Sequence, residues 1–129
     1  VPSEVAERKK TGVMRTTRHQ RRSKTLDNRN LSLADFQQLI ANMYLEKDLA
    51  RGVDGIFMWL AEEIGELATA LREGTHEDRM EEFADVLAWL TTIANVVNVD
   101  LAAAVTKKYG AGCPGCGRLV CACAEGTKP

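Results

Sequence analysis

Residues 60–87 have the sequence LAEEIGELATALREGTHEDRMEEFADVL, in which four carboxylates are placed symmetrically about Gly74. Two of them precede the glycine by 11 and 8 residues and two follow it by 8 and 11: Glu63, Glu66, Glu82 and Asp85. If helices on both sides are joined by a tight turn at the glycine, the inner two carboxylates lie level with each other, and so do the outer two. At a rise of about 1.5 Å per residue both pairs lie roughly 12 to 17 Å from the turn, within the packed part of a helical hairpin.

Helical periodicity continues on the N-terminal side of this stretch. Ser32 and Asp35 have the spacing of a capping box that begins a first helix, and the apolar stripe of this helix ends near Gly52. Asp54 is the predicted N-cap of a second helix. Its core-facing line is predicted from apolar residues three or four positions apart: Leu60, Ile64, Leu67 and Leu71.

Two further helices follow the turn. Thr75 and Asp78 repeat the capping-box spacing at the start of a third helix, and Asp100 is the predicted N-cap of a short fourth helix that ends at about Tyr109. Gly110 is expected to close that helix in a left-handed conformation. Because no strand-like alternation occurs in the sequence, the pattern predicts an all-α fold of four helices built on the central hairpin.

The third helix is apolar on nearly every side, with no charged residue between Val86 and Val97. Such a helix must be buried on nearly every side, which a core of about 80 residues scarcely provides alone. We therefore expect a homo-oligomer, either a homodimer or a homotetramer, with this helix at the centre of the interface.

Length and composition limit the class of protein. The 129 residues suit one modest domain, and the 45% apolar content includes no run long enough to span a bilayer, so no membrane association is expected. The first 14 residues carry charges throughout and lack the apolar stretch of a secretory leader, which favours a cytoplasmic location.

Charge divides the chain sharply. Residues 1–30 hold nine Lys or Arg residues against three acidic residues, a net charge of +6, whereas the remaining 99 residues carry −7. The basic arm has few large apolar residues and is predicted to be disordered. A solvated tail is the favoured role, and contact with nucleic acid or polyphosphate is the alternative. The predicted divisions are the basic arm 1–30, a helical domain 31–110 and a cysteine-rich tail 111–129.

The four carboxylates of the hairpin suggest a metal site. Glu63 and Glu66 project from one side of the second helix, and Glu82 and Asp85 from one side of the third. Facing carboxylates repel one another in a partly dehydrated space, and Mg²⁺ relieves that repulsion because it prefers carboxylate and water oxygens. The sequence contains no Glu-x-x-His pair, which disfavours a di-iron centre. On spacing alone, an ordinary solvated helix face is an equal alternative.

The segment Leu60-Ala-Glu-Glu-Ile-Gly-Glu-Leu-Ala, followed by Glu82-Phe-Ala-Asp85-Val-Leu, resembles the signature of MazG-like nucleotide pyrophosphohydrolases in the all-α NTP pyrophosphatase superfamily. That signature is Glu-x-x-Glu, a spacer and Glu-x-x-Asp, and the similarity extends from about Leu31 to Lys108. It implies a four-helix MazG-like bundle that hydrolyses nucleoside triphosphates, ribo or deoxy, to the monophosphate and pyrophosphate in nucleotide-pool housekeeping.

The resemblance also implies roles for the acidic residues. Glu63, Glu66, Glu82 and Asp85 would be ligands of Mg²⁺, for which Mn²⁺ could substitute. Glu63 or Glu66 would hold the attacking water or accept its proton, since a metal ion lowers the pKa of a bound water.

Three further residues are weaker candidates for contact with the substrate. Lys108 matches the late basic position of the family and could reach phosphate oxygens, although a favourable cation in the last turn of a helix explains it equally well. Trp59 and Phe36 could stack on a nucleobase, but core packing is the favoured role for both, as it is for Trp89.

Four cysteines follow the last predicted helix: Cys113, Cys116, Cys121 and Cys123. Such density in a cytosolic chain favours a metal over disulfides, and Cys-Pro-x-Cys-Gly resembles the knuckle turn of zinc ribbons. We expect a structural Zn²⁺ bound by the four thiolates. Free thiols or oxidised pairs are the alternatives, because Cys-x-Cys is tighter than the usual spacing.

Two other functions fit the sequence less well. One is a non-enzymatic helical adaptor that binds nucleic acid through the basic arm and the zinc tail. The other keeps the fold and changes the substrate, since phosphoribosyl-ATP pyrophosphatases belong to the same superfamily. The first predicts salt-sensitive binding that is lost when residues 1–30 are deleted.

Overall fold

The computed structural model describes residues 31–126, which form four helices and contain no strand. The helices are α1 (Leu33–Arg51), α2 (Val53–Glu73), α3 (His76–Val96) and α4 (Leu101–Tyr109). The α2–α3 pair has the most extensive contact, α1 packs against both but mainly against α3, and α4 packs against α1. The predicted all-α fold is therefore confirmed. The predicted basic arm, residues 1–30, lies outside the described residues, as do residues 127–129.

The predicted capping boxes form at the starts of α1 and α3. The backbone N–H of Asp35 donates to Ser32 Oγ at 3.0 Å, and the N–H of Ser32 donates back to Asp35 Oδ2 at 3.3 Å. The same exchange joins Asp78 and Thr75 at 3.1 and 2.7 Å. Asp100 caps α4 as predicted, accepting a hydrogen bond at 2.9 Å. These bonds satisfy amides that a helix start leaves without intrahelical partners.

Two local predictions are wrong. Asp54 does not cap α2, because Gly52 turns the chain with a φ of +79° and the helix begins at once with Val53. Asp54 lies instead in the first turn, where the helix dipole stabilises its negative charge. Gly110 is right-handed, with a φ of −61°, because its N–H still bonds to Thr106 O at 2.8 Å and continues the helical path.

The turn between α2 and α3 requires Gly74 for reasons of space. Its φ of −79° is accessible to any residue, but a Cβ at this position would lie 2.7 Å from Ala70 O. The guanidinium of Arg79 donates to Ala70 O at 3.1 Å and to Gly74 O at 3.0 Å, which ties α3 to the end of α2. This turn sets the register of the hairpin and so brings carboxylates equally far from Gly74 to the same level.

The described chain has a small core and a large apolar surface. Five apolar side chains are buried among residues 31–126: Ile40, Ile56, Leu60, Ala70 and Ala94. The predicted core line of α2 is only partly correct, since Leu60 is buried but Ile64 and Leu71 are half exposed. On α3 an apolar stripe with spacing i, i+4, i+7 is 41% to 56% exposed in the single chain: Phe83, Leu87 and Leu90.

A polar network fixes the end of α3 that lies far from the hairpin turn. Gln37 donates to Asn95 Oδ1 at 3.0 Å and to Val99 O at 2.7 Å, and its Oε1 accepts from the N–H of Leu101 at 2.9 Å. The axes of α3 and α4 meet at 102°. No single helix in residues 31–126 has the length and apolar character to cross a membrane. The bent pair of α3 and α4 has that length and apolar character only when the two helices are taken together.

Candidate functional site

Three of the four predicted carboxylates meet between α2 and α3. Glu63, Glu66 and Glu82 each place a carboxylate oxygen within 4.8 Å of the others, and we call them the carboxylate cluster. Glu63 and Glu82 are half-buried, whereas Glu66 is exposed. Glu66 and Glu82 share a level on the hairpin because the two helices are antiparallel about Gly74, and Glu63 lies one helical turn from Glu66 on the same side of α2.

Asp85 lies next to the carboxylate cluster but outside its tight grouping. It is exposed and lines a cavity between α3 and α1. Its negative charge nevertheless raises the pKa of both Glu63 and Glu82. The fourth predicted carboxylate thus acts on the cluster from the side that faces α1.

The carboxylate cluster is electrostatically strained. Burial raises the pKa of Glu63 above its ordinary value of 4.5, and the charge of Glu66 raises it further. Burial likewise raises the pKa of Glu82, and the negative charges of Glu66, Asp85 and Glu63 raise it further. Each shift means that the ionised form is disfavoured in the fold unless positive charge is supplied.

The oxygen atoms of the cluster fit a hard divalent cation. Glu82 Oε2 is fully buried and accepts no hydrogen bond from any residue in the range 31–126. In that same range no Lys or Arg forms an ion pair with a member of the cluster, and Arg51 pairs instead with the buried Asp48 at 3.1 Å. A buried acceptor without a donor is costly, and a cation with oxygen ligands would satisfy it.

Trp89 orients one member of the cluster. Its indole N–H donates to Glu63 Oε1 at 3.1 Å. The Trp89 ring stacks on Trp59 with centroids 5.7 Å apart and planes inclined by 8°. One face of the Trp59 ring therefore packs against the Trp89 indole, while about half of the Trp59 surface stays exposed. The sequence alone places Trp59, Glu63 and Trp89 on the hairpin. It gives no local sign of the hydrogen bond between Trp89 and Glu63, because these residues are 26 positions apart.

A cavity of about 320 Å³ opens beside Asp85 and Trp89, and we call it the α1–α3 cavity. Its α1 wall presents four residues at helical spacing that were not among the predicted site residues: Tyr44, Lys47, Asp48 and Arg51. Their three- and four-residue spacing is the only sequence signal that could have grouped them on one face. Another cavity, of about 480 Å³, lies between α1 and the α3–α4 turn and is lined by no member of the cluster.

The other two predicted substrate contacts do not line the α1–α3 cavity. Lys108 is exposed at the end of α4, with its Nζ 5.3 Å from the centroid of the Tyr109 ring. α4 starts beside Asn95, which is about 15 Å along α3 from Asp85 at 1.5 Å per residue. Phe36 is half-buried near the start of α1, about 16 Å along that helix from Lys47.

The sequence model of the MazG nucleotide pyrophosphohydrolase domain matches residues 52–116, half of the chain. The chain belongs to the MazG family. The matched part of this MazG domain contains α2, α3, α4 and all four predicted carboxylates. The family hydrolyses nucleotide phosphoric anhydrides and is typically metal-dependent, which agrees with the chemistry of the carboxylate cluster. No curated protein matches the sequence.

A second group of ligand atoms lies beyond α4 in the MazG chain. The sulfur atoms of four cysteines lie within 4.8 Å of one another, and we call them the thiol cluster: Cys113, Cys116, Cys121 and Cys123. Hydrogen bonds from the backbone amides of Ala122 and Arg118 lower the pKa of Cys116 to about 6. Hydrogen bonding by the other three sulfurs, Cys121 first, raises the pKa of Cys123 to about 12.

Proposed function

We propose that this MazG domain hydrolyses nucleoside triphosphates to the monophosphate and pyrophosphate with Mg²⁺, or Mn²⁺ in its place. The observation that carries the proposal is the carboxylate cluster, in which Glu82 Oε2 is buried and has no donor among residues 31–126. The three cluster residues and Asp85 would hold the metal. Mg²⁺ suits oxygen ligands and commonly shares its coordination with substrate phosphates.

Bound Mg²⁺ would supply Lewis-acid polarisation of the phosphoryl group and a lower pKa for a coordinated water. Glu63 is held in place by the hydrogen bond from the Trp89 N–H. Glu66 is the exposed member of the cluster. We therefore assign Glu66 to hold the attacking water and accept its proton, and Glu63 to a fixed ligand position.

The α1–α3 cavity is the proposed site for the nucleoside. It adjoins the metal ligands at Asp85, and its volume lies at the small end of the usual range for ligand pockets, about 300 to 1,000 Å³. Tyr44 and Trp89 offer aromatic surface to a base, and the exposed Lys47 offers a cation to phosphate oxygens. Lys108 does not line this cavity in the single chain.

Self-association is part of the proposal. The exposed stripe Phe83, Leu87 and Leu90 has the spacing of a helix face that packs against another helix, and a second copy presents the same stripe. On α2 three large apolar residues seven positions apart are each more than half exposed: Phe57, Ile64 and Leu71. Two hairpins that pack through these surfaces would remove them from water, which stabilises the assembly in proportion to the area buried.

Product analysis tests the proposed activity. The purified full chain should convert one or more members of a panel of ribo- and deoxyribonucleoside triphosphates to monophosphate and pyrophosphate in the presence of Mg²⁺, and not after chelation. Chromatography of the nucleotide and an enzymatic assay for pyrophosphate are the measurements. Release of orthophosphate and diphosphate nucleotide, or no turnover with any triphosphate, would contradict the proposal, and turnover of phosphoribosyl-ATP alone would support the related activity instead.

Trp89→Phe should weaken catalysis without destroying the site. The variant keeps an aromatic ring against Trp59 but loses the donor to Glu63, so Glu63 is oriented less well and its pKa rises further. Loss of a hydrogen bond that orients a metal ligand typically costs about 10- to 100-fold in metal affinity or activity. The expected result is a decrease of that size in kcat/KM, with the acidic limb of the pH profile moved to higher pH.

Trp59→Phe is the matched control for this variant. It changes the other ring of the stacked pair and removes no hydrogen bond to the carboxylate cluster. We expect its Mg²⁺ dependence and pH profile to stay close to those of the wild type. Equal losses in the two variants, with unmoved pH profiles, would show that the pair acts only through packing.

A further inference from the structure

We propose that the thiol cluster binds one structural zinc ion and that this ion, rather than a hydrophobic core, determines the fold of residues 111–126. The site goes beyond the hydrolase, since the MazG match ends at Cys116 and leaves Cys121 and Cys123 unassigned. All four sulfur atoms lie within 4.8 Å of one another.

The sulfur separations match ligands arranged around one ion. Cys113 Sγ lies 3.4 Å from Cys121 Sγ and 3.8 Å from Cys123 Sγ. Four ligands at the usual zinc–sulfur distance of about 2.3 Å in a tetrahedron lie about 3.8 Å apart. Because one sulfur has two partners at such distances, the arrangement favours a shared centre over two separate pairs.

The backbone of the first pair is built as a tight turn around the sulfur atoms. The N–H of Cys113 donates to Arg118 O at 2.9 Å, and the N–H of Gly117 donates to Cys113 O at 2.7 Å. Gly117 has a φ of +70° and Gly112 a φ of +110°, conformations that side chains rarely adopt. A Cβ on Gly112 would also lie 2.8 Å from Arg118 O, so both glycines are required by the geometry.

Backbone amides also approach the sulfur atoms of the cluster. The N–H of Ala122 donates to Cys116 Sγ and the N–H of Cys123 donates to Cys121 Sγ, each at 3.4 Å. Such donors stabilise negative charge on sulfur, the form in which cysteine binds a metal. Both pairs of cysteines therefore have the backbone support that a thiolate site needs.

The segment has no hydrophobic core of its own. Residues 111–126 contain no helix or strand and no buried side chain, and Leu119 and Val120 are almost fully exposed. A structural zinc commonly supplies the folding free energy of a segment this small. Four thiolates complete a tetrahedral shell with no open position, so the site is structural and takes no part in hydrolysis.

Metal analysis of the purified full chain tests the proposal. Elemental analysis after purification without chelators should find about one zinc per chain, and C116S and C123S should each fall below about a tenth of that content. Cobalt substituted into the wild type should give the thiolate charge-transfer and strong visible bands of a tetrahedral sulfur site, which tests the site even if a serine variant folds poorly.

The hydrolase variants separate this proposal from the proposed function. Glu82→Gln should keep its full zinc content, and C123S should keep Mg²⁺-dependent turnover. Four free thiols with no bound metal, two disulfides, or iron in place of zinc would each overturn the zinc site. A wild-type chain with its full zinc content but no Mg²⁺-dependent hydrolysis would overturn the hydrolase alone.

Discussion

Glu82→Gln should lower Mg²⁺-dependent pyrophosphate release by about two to three orders of magnitude, since metal ions contribute several kcal/mol of transition-state stabilisation and each 1.36 kcal/mol is a factor of about ten. Glu82 is the residue of choice because its Oε2 is buried and has no donor within residues 31–126. An amide keeps the size of the side chain but is a poor ligand for Mg²⁺ compared with a carboxylate. Steady-state rates over a range of Mg²⁺ concentrations measure the effect.

Glu81→Gln is the matched control. It removes the same charge one residue earlier on α3, from an exposed side chain outside the carboxylate cluster. We expect its rate to remain within about threefold of the wild type, since surface substitutions away from a site have small effects. If Glu82→Gln and Glu81→Gln lost equal activity, or if neither lost any, the assignment of the metal site would be wrong.

The same Glu82→Gln substitution should make the metal-free protein more stable at neutral pH. The pKa of Glu82 is raised in the fold, first by burial and then by neighbouring carboxylates. Its contribution to the free energy of unfolding is therefore largest below the unfolded pKa and is lost as the pH rises through the folded pKa. Thermal unfolding in the presence of a chelator measures this effect. The wild type should lose stability as the pH rises above 4.5, the ordinary pKa of the Glu82 carboxyl, and the variant should lose less. Added Mg²⁺ should stabilise the wild type more than the variant.

Leu90→Asp should abolish the proposed self-association of the MazG chain. Leu90 is 46% exposed in the single chain and continues the stripe of Phe83 and Leu87. A charge in the middle of an apolar interface must be desolvated without a partner, which commonly costs several kcal/mol and is enough to shift association by orders of magnitude. Sedimentation velocity at micromolar concentration measures the change in mass.

Because Leu90 is already half exposed, the variant should retain its helical content by circular dichroism even as a monomer. Leu119→Asp provides the control, since it adds the same charge at a side chain that is 92% exposed in the tail. We expect Leu119→Asp to sediment as the wild type does. A wild-type chain that is monomeric at high concentration, or a Leu90→Asp chain that still assembles, would refute self-association through α3.

Local sequence patterns were enough to predict most of the hairpin. The two capping boxes form because their partners lie three residues apart, which is a distance that any helix start provides. Glu66 and Glu82 meet because a fixed helical rise converts equal spacing about Gly74 into equal height, and Glu63 joins them from one helical turn away on α2. Helix ends were less predictable, as Asp54 and Gly110 show, since the backbone conformation of a single residue decides which residue caps the helix.

Several earlier expectations stay predictions. The cytoplasmic location, the role of the basic arm 1–30 and the boundaries of the three segments depend on residues or conditions outside the described fold. Phe36 and Lys108 as substrate contacts belong to the same group. The adaptor function depends on that arm too, whereas the family match and the carboxylate cluster both favour the hydrolase.

The amino-acid sequence by itself determined the all-α class, the hairpin register, the MazG membership and the cysteine group, because each depends on spacing along one helix, one turn or one motif. Only the tertiary structure decided how α1 packs on α3 to form a cavity beside Asp85, and that the Trp89 N–H reaches Glu63. It also decided that Glu82 Oε2 is buried without a donor among residues 31–126 and that Asp85 lies to the side of the carboxylate cluster. These features depend on side-chain directions and contacts between residues far apart in the chain, for which periodicity carries no information.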